Sequence, residues 1–196
     1  EGAGADPLDF DYAAIPIHDA AYALAAIGRS AIDSLAELLN CPYEWTRINA
    51  AFALGEMDST AAAAVAALEK LLNDESHHVI RVATCALGTI RTDAPLASLS
   101  RLLNADGPGW DEPKTFGWTI RNAVNVTAAI TFARLGKQAA AAEASLIDAL
   151  QNPCGQVGFL AGEALCRIGT ETAIEAVMDD LKLRRWDSSL SVNQRY

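Results

Sequence analysis

The sequence has no apolar run long enough to cross a membrane. Its longest, TAAAAVAALEKLL (60–72), is alanine-rich and broken by Glu69 and Lys70, whereas a spanning helix needs about 20 apolar residues. The opening EGAGADPLDFDY lacks the basic start and apolar stretch of a signal peptide. The chain does not begin with Met, so a processed start, or a function carried partly upstream, is allowed for. A basic face is missing too: 15 Lys and Arg stand against 25 Asp and Glu, a net charge of −10. That argues against nucleic acid and against an anionic membrane surface as partners. Cysteine is sparse, at 41, 85, 154 and 166, with no C-x-x-C pair. An apolar chain of this length holds together without disulfides, so reduced thiols and a cytoplasmic setting are expected.

Catalytic sets are missing as well. There are three histidines, at 18, 77 and 78, too few for a multi-ligand metal site. No Ser, His and acid combination assembles, and no thiol has a base beside it. GQVGFLAG (155–162) lacks the preceding strand and the Gly-Lys-Ser/Thr ending of a phosphate loop. Apolar runs alternating with period two are also absent, which removes strands. No catalytic residue, metal or cofactor is predicted.

What is present is repetition. Segments ending in an apolar residue and Gly recur: HDAAYALAAIG (18–28), RINAAFALG (47–55), IRVATCALG (80–88), TFARLG (131–136) and GFLAGEALCRIG (158–169). Between them fall LAELLN (35–40), LEKLLN (68–73), LSRLLN (99–104) and LIDALQN (146–152). Leu35, Leu38 and Leu39 stand at i, i+3 and i+4, as do Leu68, Leu71 and Leu72, and Leu99, Leu102 and Leu103. This is the apolar stripe of an amphipathic helix. The glycines mark helix ends. The pattern predicts helix pairs at 30–40 with 46–56, 61–73 with 78–90, 94–104 with 117–135, and 139–151 with 156–168. Single helices are predicted at 18–27 and 171–184. A pair cannot bury its apolar faces alone, whereas stacked pairs share one core. The predicted fold is all-α, a right-handed superhelix of about four and a half pairs.

The glycines step by 27, 33, 48 and 33 residues. The long step holds NADGPGWDEPKTFGW (104–118), an insertion of about 15 residues. The expected layout is a capping segment at 1–17, the repeat domain at 18–184 with an insertion at 105–116, and a capping tail at 185–196. Leu8, Phe10, Tyr12, Ile15 and Ile17 would cover one end. Trp186, Leu190, Val192 and Tyr196 would cover the other.

RINAAFALGEM and IRVATCALGTI, each preceded by L-x-x-LLN, resemble HEAT repeats. Their short period is similar to that of the HEAT-like repeats of the phycobilisome lyase type. The resemblance implies a curved α-solenoid. It also implies an alternative role, help in attaching or removing a tetrapyrrole, while the missing Met start allows for a third, a regulatory or substrate-recruiting arm of a larger enzyme. His18-Asp19 is similar to the His-Glu leads of deoxyhypusine hydroxylase, a HEAT-like di-iron enzyme. Only one of the three histidines is followed by an acid, so His18 reads as a helix-start residue, with Asp19 favouring the helix dipole.

Candidate binding residues follow from this architecture. The expected function is a non-enzymatic interaction module that binds a protein or peptide on the concave face of the second helices and on the 105–116 loop. Trp110, Phe116 and Trp118 are the expected anchors, with Arg81, Arg121, His77 and His78 beside them. Arg47, Arg81 and Arg121 each sit early in a second helix. They are expected either to pair with an acid or amide between helices in a structural ladder, with Asn40, Asn73 and Asn104 as candidates, or to line the concave face for an acidic ligand. Cys85 and Cys166 share the register of Phe52 and are expected in the core. Cys41 and Cys154, in turns, are expected outside it.

Overall fold

A computed structural model of the chain describes residues 17–91, 94–104 and 124–186, with side chains through residue 183. Ten α-helices run through these residues: α1 (Asp19–Ile27), α2 (Ile32–Leu38), α3 (Glu44–Gly55), α4 (Val65–Lys70), α5 (His77–Ile90), α6 (Leu96–Leu103), α7 (Val124–Leu135), α8 (Glu143–Ala149), α9 (Gly155–Ile168) and α10 (Glu171–Trp186). Among the described residues there is no strand. Three even-numbered helices are entered through 3-10 segments, Gly28–Ala31, Asp58–Ala64 and Gly136–Ala142, so the first helix of a pair is shorter than its apolar pattern suggests.

The odd-numbered helices form an inner row in chain order, α3 on α1 and α5, α5 on α7, and α7 on α9. The even-numbered helices form an outer row, where α6 meets α8 and α8 meets α10. The core lies between the rows. Leu35 and Leu39, Leu68 and Leu72, and Leu99 and Leu103 are all buried in it, as their i, i+4 spacing requires. Leu38 departs from the pattern and faces solvent. Ile17 packs against the core at the first end. The remaining cap residues of 1–16 and 187–196 lie outside the described residues.

The glycines do two different jobs. Gly28, Gly136 and Gly169 have positive φ and end their helices, as predicted. Gly55 and Gly88 are not among the positive-φ glycines. Gly55 is the last residue of α3, and α5 runs past Gly88 to end at Arg91 in the left-handed conformation (φ 58°). Gly55 is needed for close approach instead. A Cβ there would lie 3.0 Å from the Ala86 Cα on α5. Thr89 closes this contact by donating from Oγ1 to the Gly55 carbonyl at 3.0 Å.

The cysteines correct the sequence reading in two places. Cys85 is buried as expected, but Cys166 is exposed and Cys154 is buried. Cys166 lies on α9, which has an inner helix, α7, on one side and the outer helices α8 and α10 elsewhere. The register that covers Phe52 between α1 and α5 therefore leaves Cys166 open. Cys154 caps α9 in a turn drawn inward. Its N–H donates to Asn152 Oδ1 at 2.9 Å, and Asn152 Nδ2 donates to the Leu103 carbonyl at 3.1 Å.

Candidate functional site

The inner helices share a register set by their glycines. Ten residues before each stand His18, Trp45, His78, Val126 and Phe159, and six before stand Tyr22, Asn49, Val82, Ile130 and Glu163. Four of the first five are rings, placed at the starts of successive inner helices. Trp45 is 48% exposed and Phe159 68%. His18 is exposed and His78 half-buried. Val126 is fully buried. The row of rings is thus interrupted at α7, where every residue from Val124 to Ala133 is buried.

Trp45 is held by its neighbours. Asn49 Nδ2 donates to the Trp45 carbonyl at 2.8 Å, and Asn49 Oδ1 accepts the His18 backbone N–H at 2.7 Å. One amide thereby ties the start of α1 to the first turns of α3. His18 caps α1, its Nδ1 accepting from the Ala20 N–H at 3.3 Å. Tyr22 meets Phe52 edge to face, ring centroids 4.9 Å apart, an arrangement that aromatic quadrupoles favour. Tyr22 still leaves half its surface to solvent, and Tyr43 is more open still.

Two residues on from Trp45 along α3, Arg47 makes a nearly buried ion pair. Arg47 Nε and Nη2 donate to the two carboxylate oxygens of Asp74 at 2.8 and 2.9 Å. Its Nη1 donates to the Cys41 and Pro42 carbonyls at 2.9 and 3.1 Å. The hydrogen bond with Asp74, followed by the charges of Asp74, Glu75 and Glu44, raises the Arg47 guanidinium above its ordinary range despite burial. Ser76 donates to Glu44 Oε1, and its backbone N–H donates to Asp74 Oδ1 at 2.9 Å. Three carboxylates thus surround one guanidinium, leaving the start of α3 net negative.

This geometry fits the ladder reading at Arg47, whose partner is an acid, Asp74, rather than one of the three asparagines. Asn73 closes a 3-10 turn, while Asp74 is extended (ψ 153°) and turns its carboxylate back toward α3. Asn40 instead donates to the Ala36 carbonyl at 3.4 Å, and Asn104 Oδ1 accepts from Asn152 Nδ2 at 3.2 Å. Asp74 and Asn152 have the same role in different repeats. Each accepts the backbone N–H two residues on and reaches the preceding repeat.

Arg81 falls in the register of Ile48, one position beyond that of Arg47, and is only 4% exposed. His77 and His78 lie ring against ring, centroids 4.0 Å apart, at the start of α5. On the same helix Thr84 donates to the Ile80 carbonyl at 2.7 Å, and Thr131 of α7 donates to the Thr84 carbonyl at 3.1 Å. These links form a buried polar seam between α5 and α7. Trp110, Phe116, Trp118 and Arg121 lie outside the described residues. Among the described residues, no three His, Cys, Asp or Glu side chains converge as metal ligands. No helix of the described residues is long and apolar enough to cross a membrane.

The repeat geometry agrees with known proteins. Residues 32–110 match the family model of HEAT repeats. Among curated proteins none matches the sequence. Similar solved structures include an engineered protein at 24% identity, TM-score 0.58, covering 85% of this chain and 79% of that one. A designed armadillo repeat protein in complex with the peptide (KR)4 is similar at 18% identity, TM-score 0.59, covering 90% of this chain and 86% of that one. A second engineered protein is 24% identical with TM-score 0.57, covering 90% of this chain and 51% of that one. At these identities the likeness is one of fold.

Proposed function

We propose, from the premise that this chain is a HEAT-like α-solenoid, that it is a scaffold holding a basic segment of a protein partner against the starts of its inner helices. The observation that carries this reading is Trp45. It is half-exposed, and the same end of α3 meets a cluster in which Glu44, Asp74 and Glu75 outnumber Arg47. An exposed indole and surplus carboxylates at one end of α3 suit a segment with several Lys or Arg side chains, one held by cation–π attraction and others by charge. Tyr43, Tyr22 and, beyond α7, Phe159 add further exposed rings. The net charge of −10 favours the same class of partner. The designed armadillo neighbour, which holds (KR)4, supports a basic peptide over an acidic one. Arg47, the cation that an acidic ligand would need at this end, is already bonded to Asp74.

The test is fluorescence anisotropy with labelled (KR)4 and an equal-length Gly-Ser peptide. Binding of (KR)4 alone is expected, weakened about tenfold or more by Trp45→Ala, with an unchanged melting temperature. Equal binding of both peptides, or an indifferent Trp45→Ala, refutes the reading. The 105–116 loop, with Trp110, is proposed as a second contact. Unchanged affinity after its replacement by a short Gly-Ser turn removes it. The tetrapyrrole alternative rests on the family resemblance alone, and unchanged bilin absorbance on mixing discards it.

A further inference from the structure

Among the described residues, the outer row ends in a helix with one uncovered apolar stripe. α10 rests on α8 and α9 through Ala173, Ala176 and Val177, and Gln151 donates to Asp180 Oδ1 at 2.8 Å. Flanking that contact, Ile174, Met178 and Leu181 follow at i, i+4 and i+7, and are 51%, 51% and 57% exposed. Three large apolar side chains in one helical stripe form a contiguous patch, unlike single exposed residues scattered over a surface.

The charges on this helix are ordered. Glu171, Glu175, Asp179 and Asp180 come first, then Lys182, and the sequence adds Arg184 and Arg185. Asp179 and Lys182 pair at 2.7 Å, but both are well exposed and such a pair contributes little. Glu171, Glu175 and Lys182 share the helical face of the stripe by their spacing. A copy of this helix laid antiparallel about a two-fold axis at Met178 sets stripe on stripe. It also sets the acidic half of each helix against the basic half of the other. A parallel arrangement sets like charges together. The face is therefore complementary to itself, the requirement for an isologous contact.

We propose that the chain forms a two-fold homodimer through antiparallel contact of α10 with the α10 of a second copy. A one-helix face lies at the small end of specific interfaces, so association belongs in the micromolar range.

Sedimentation equilibrium on the intact chain tests this. The wild type is expected to dimerise at micromolar concentration, and Met178→Glu to be monomeric. Two charge variants complete the test, Glu171→Lys with Glu175→Lys, and Lys182→Glu with Arg185→Glu. Each alone is expected to self-associate at least about tenfold more weakly. Their equimolar mixture is expected to regain dimer, because the reversed charges then face one another. A wild-type monomer throughout, an unaffected Met178→Glu, or a mixture no better than its components overturns the proposal. Recovery in the mixture cannot come from misfolded variants, so this arm separates a lost contact from a lost fold.

Discussion

Arg47 of α3 grips Asp74 of the following repeat with two parallel hydrogen bonds, while its third nitrogen holds the Cys41 and Pro42 carbonyls. The pair is a clasp between consecutive repeats, buried on both sides. Removing one partner leaves a buried charge without its counterion, which costs about 3–5 kcal/mol. Arg47→Met is expected to lose about 3 kcal/mol in urea unfolding. Arg47→Met with Asp74→Leu is expected to recover most of that loss, less about 1 kcal/mol for the Ser76 N–H that loses its acceptor. Additive losses from the two single changes would show that the clasp is not an energetic unit.

Gly55 and Gly162 both occupy inner helices, yet Ala should act oppositely at the two sites. At Gly55 the new methyl meets the Ala86 backbone at 3.0 Å and its Cβ at 3.1 Å, so α3 and α5 must separate, at about 1–3 kcal/mol. At Gly162 the nearest atom is a Leu150 methyl at 3.6 Å, an ordinary contact. There the higher helix propensity of Ala is expected to stabilise by about 0.5–1 kcal/mol. Thermal unfolding of the two variants decides, and a stabilised Gly55→Ala would contradict the close approach.

Arg91 ends α5 in the left-handed conformation and is exposed. A residue with a Cβ is strained there, by about 1 kcal/mol. Arg91→Gly is expected to raise stability by about 0.5–1 kcal/mol. An unchanged or lower urea midpoint would mean that the Arg91 side chain stabilises the helix end by more than the strain costs.

The helix pairs are readable in the sequence because burial enforces periodicity. A leucine at i and i+4 cannot leave the core without exposing the stripe, so LAELLN, LEKLLN and LSRLLN announce their helices. The row of rings is readable too, since the spacing that puts His18 and His78 ten residues before a glycine puts Trp45 and Phe159 there as well. Their exposure is not readable, because the same register buries Val126. The choice of Asp74 over Asn73 is likewise hidden. Both sit within reach of Arg47 along the chain, and only the extended backbone at 74 turns one of them back. The fates of Cys154 and Cys166 depend on which neighbouring elements pack over each position, which a single repeat does not record.

The burial of α7 from Val124 to Ala133 has a kinetic side. The amides of a helix with no solvent-facing side are released only by sub-global or global opening. Among the described residues α1 has its main inner-row contact with α3 alone, and can fray at far lower cost. Hydrogen exchange should therefore grade along the solenoid, slowest in α7 and its neighbour α5 and fastest in α1 and α10. If peptides from α7 exchange as early as those from α1, the middle does not act as the keystone that its burial suggests. Proteolytic and thermal failure of this chain then starts at its ends and travels inward, one repeat at a time, with the Thr84–Thr131 link among the last to break.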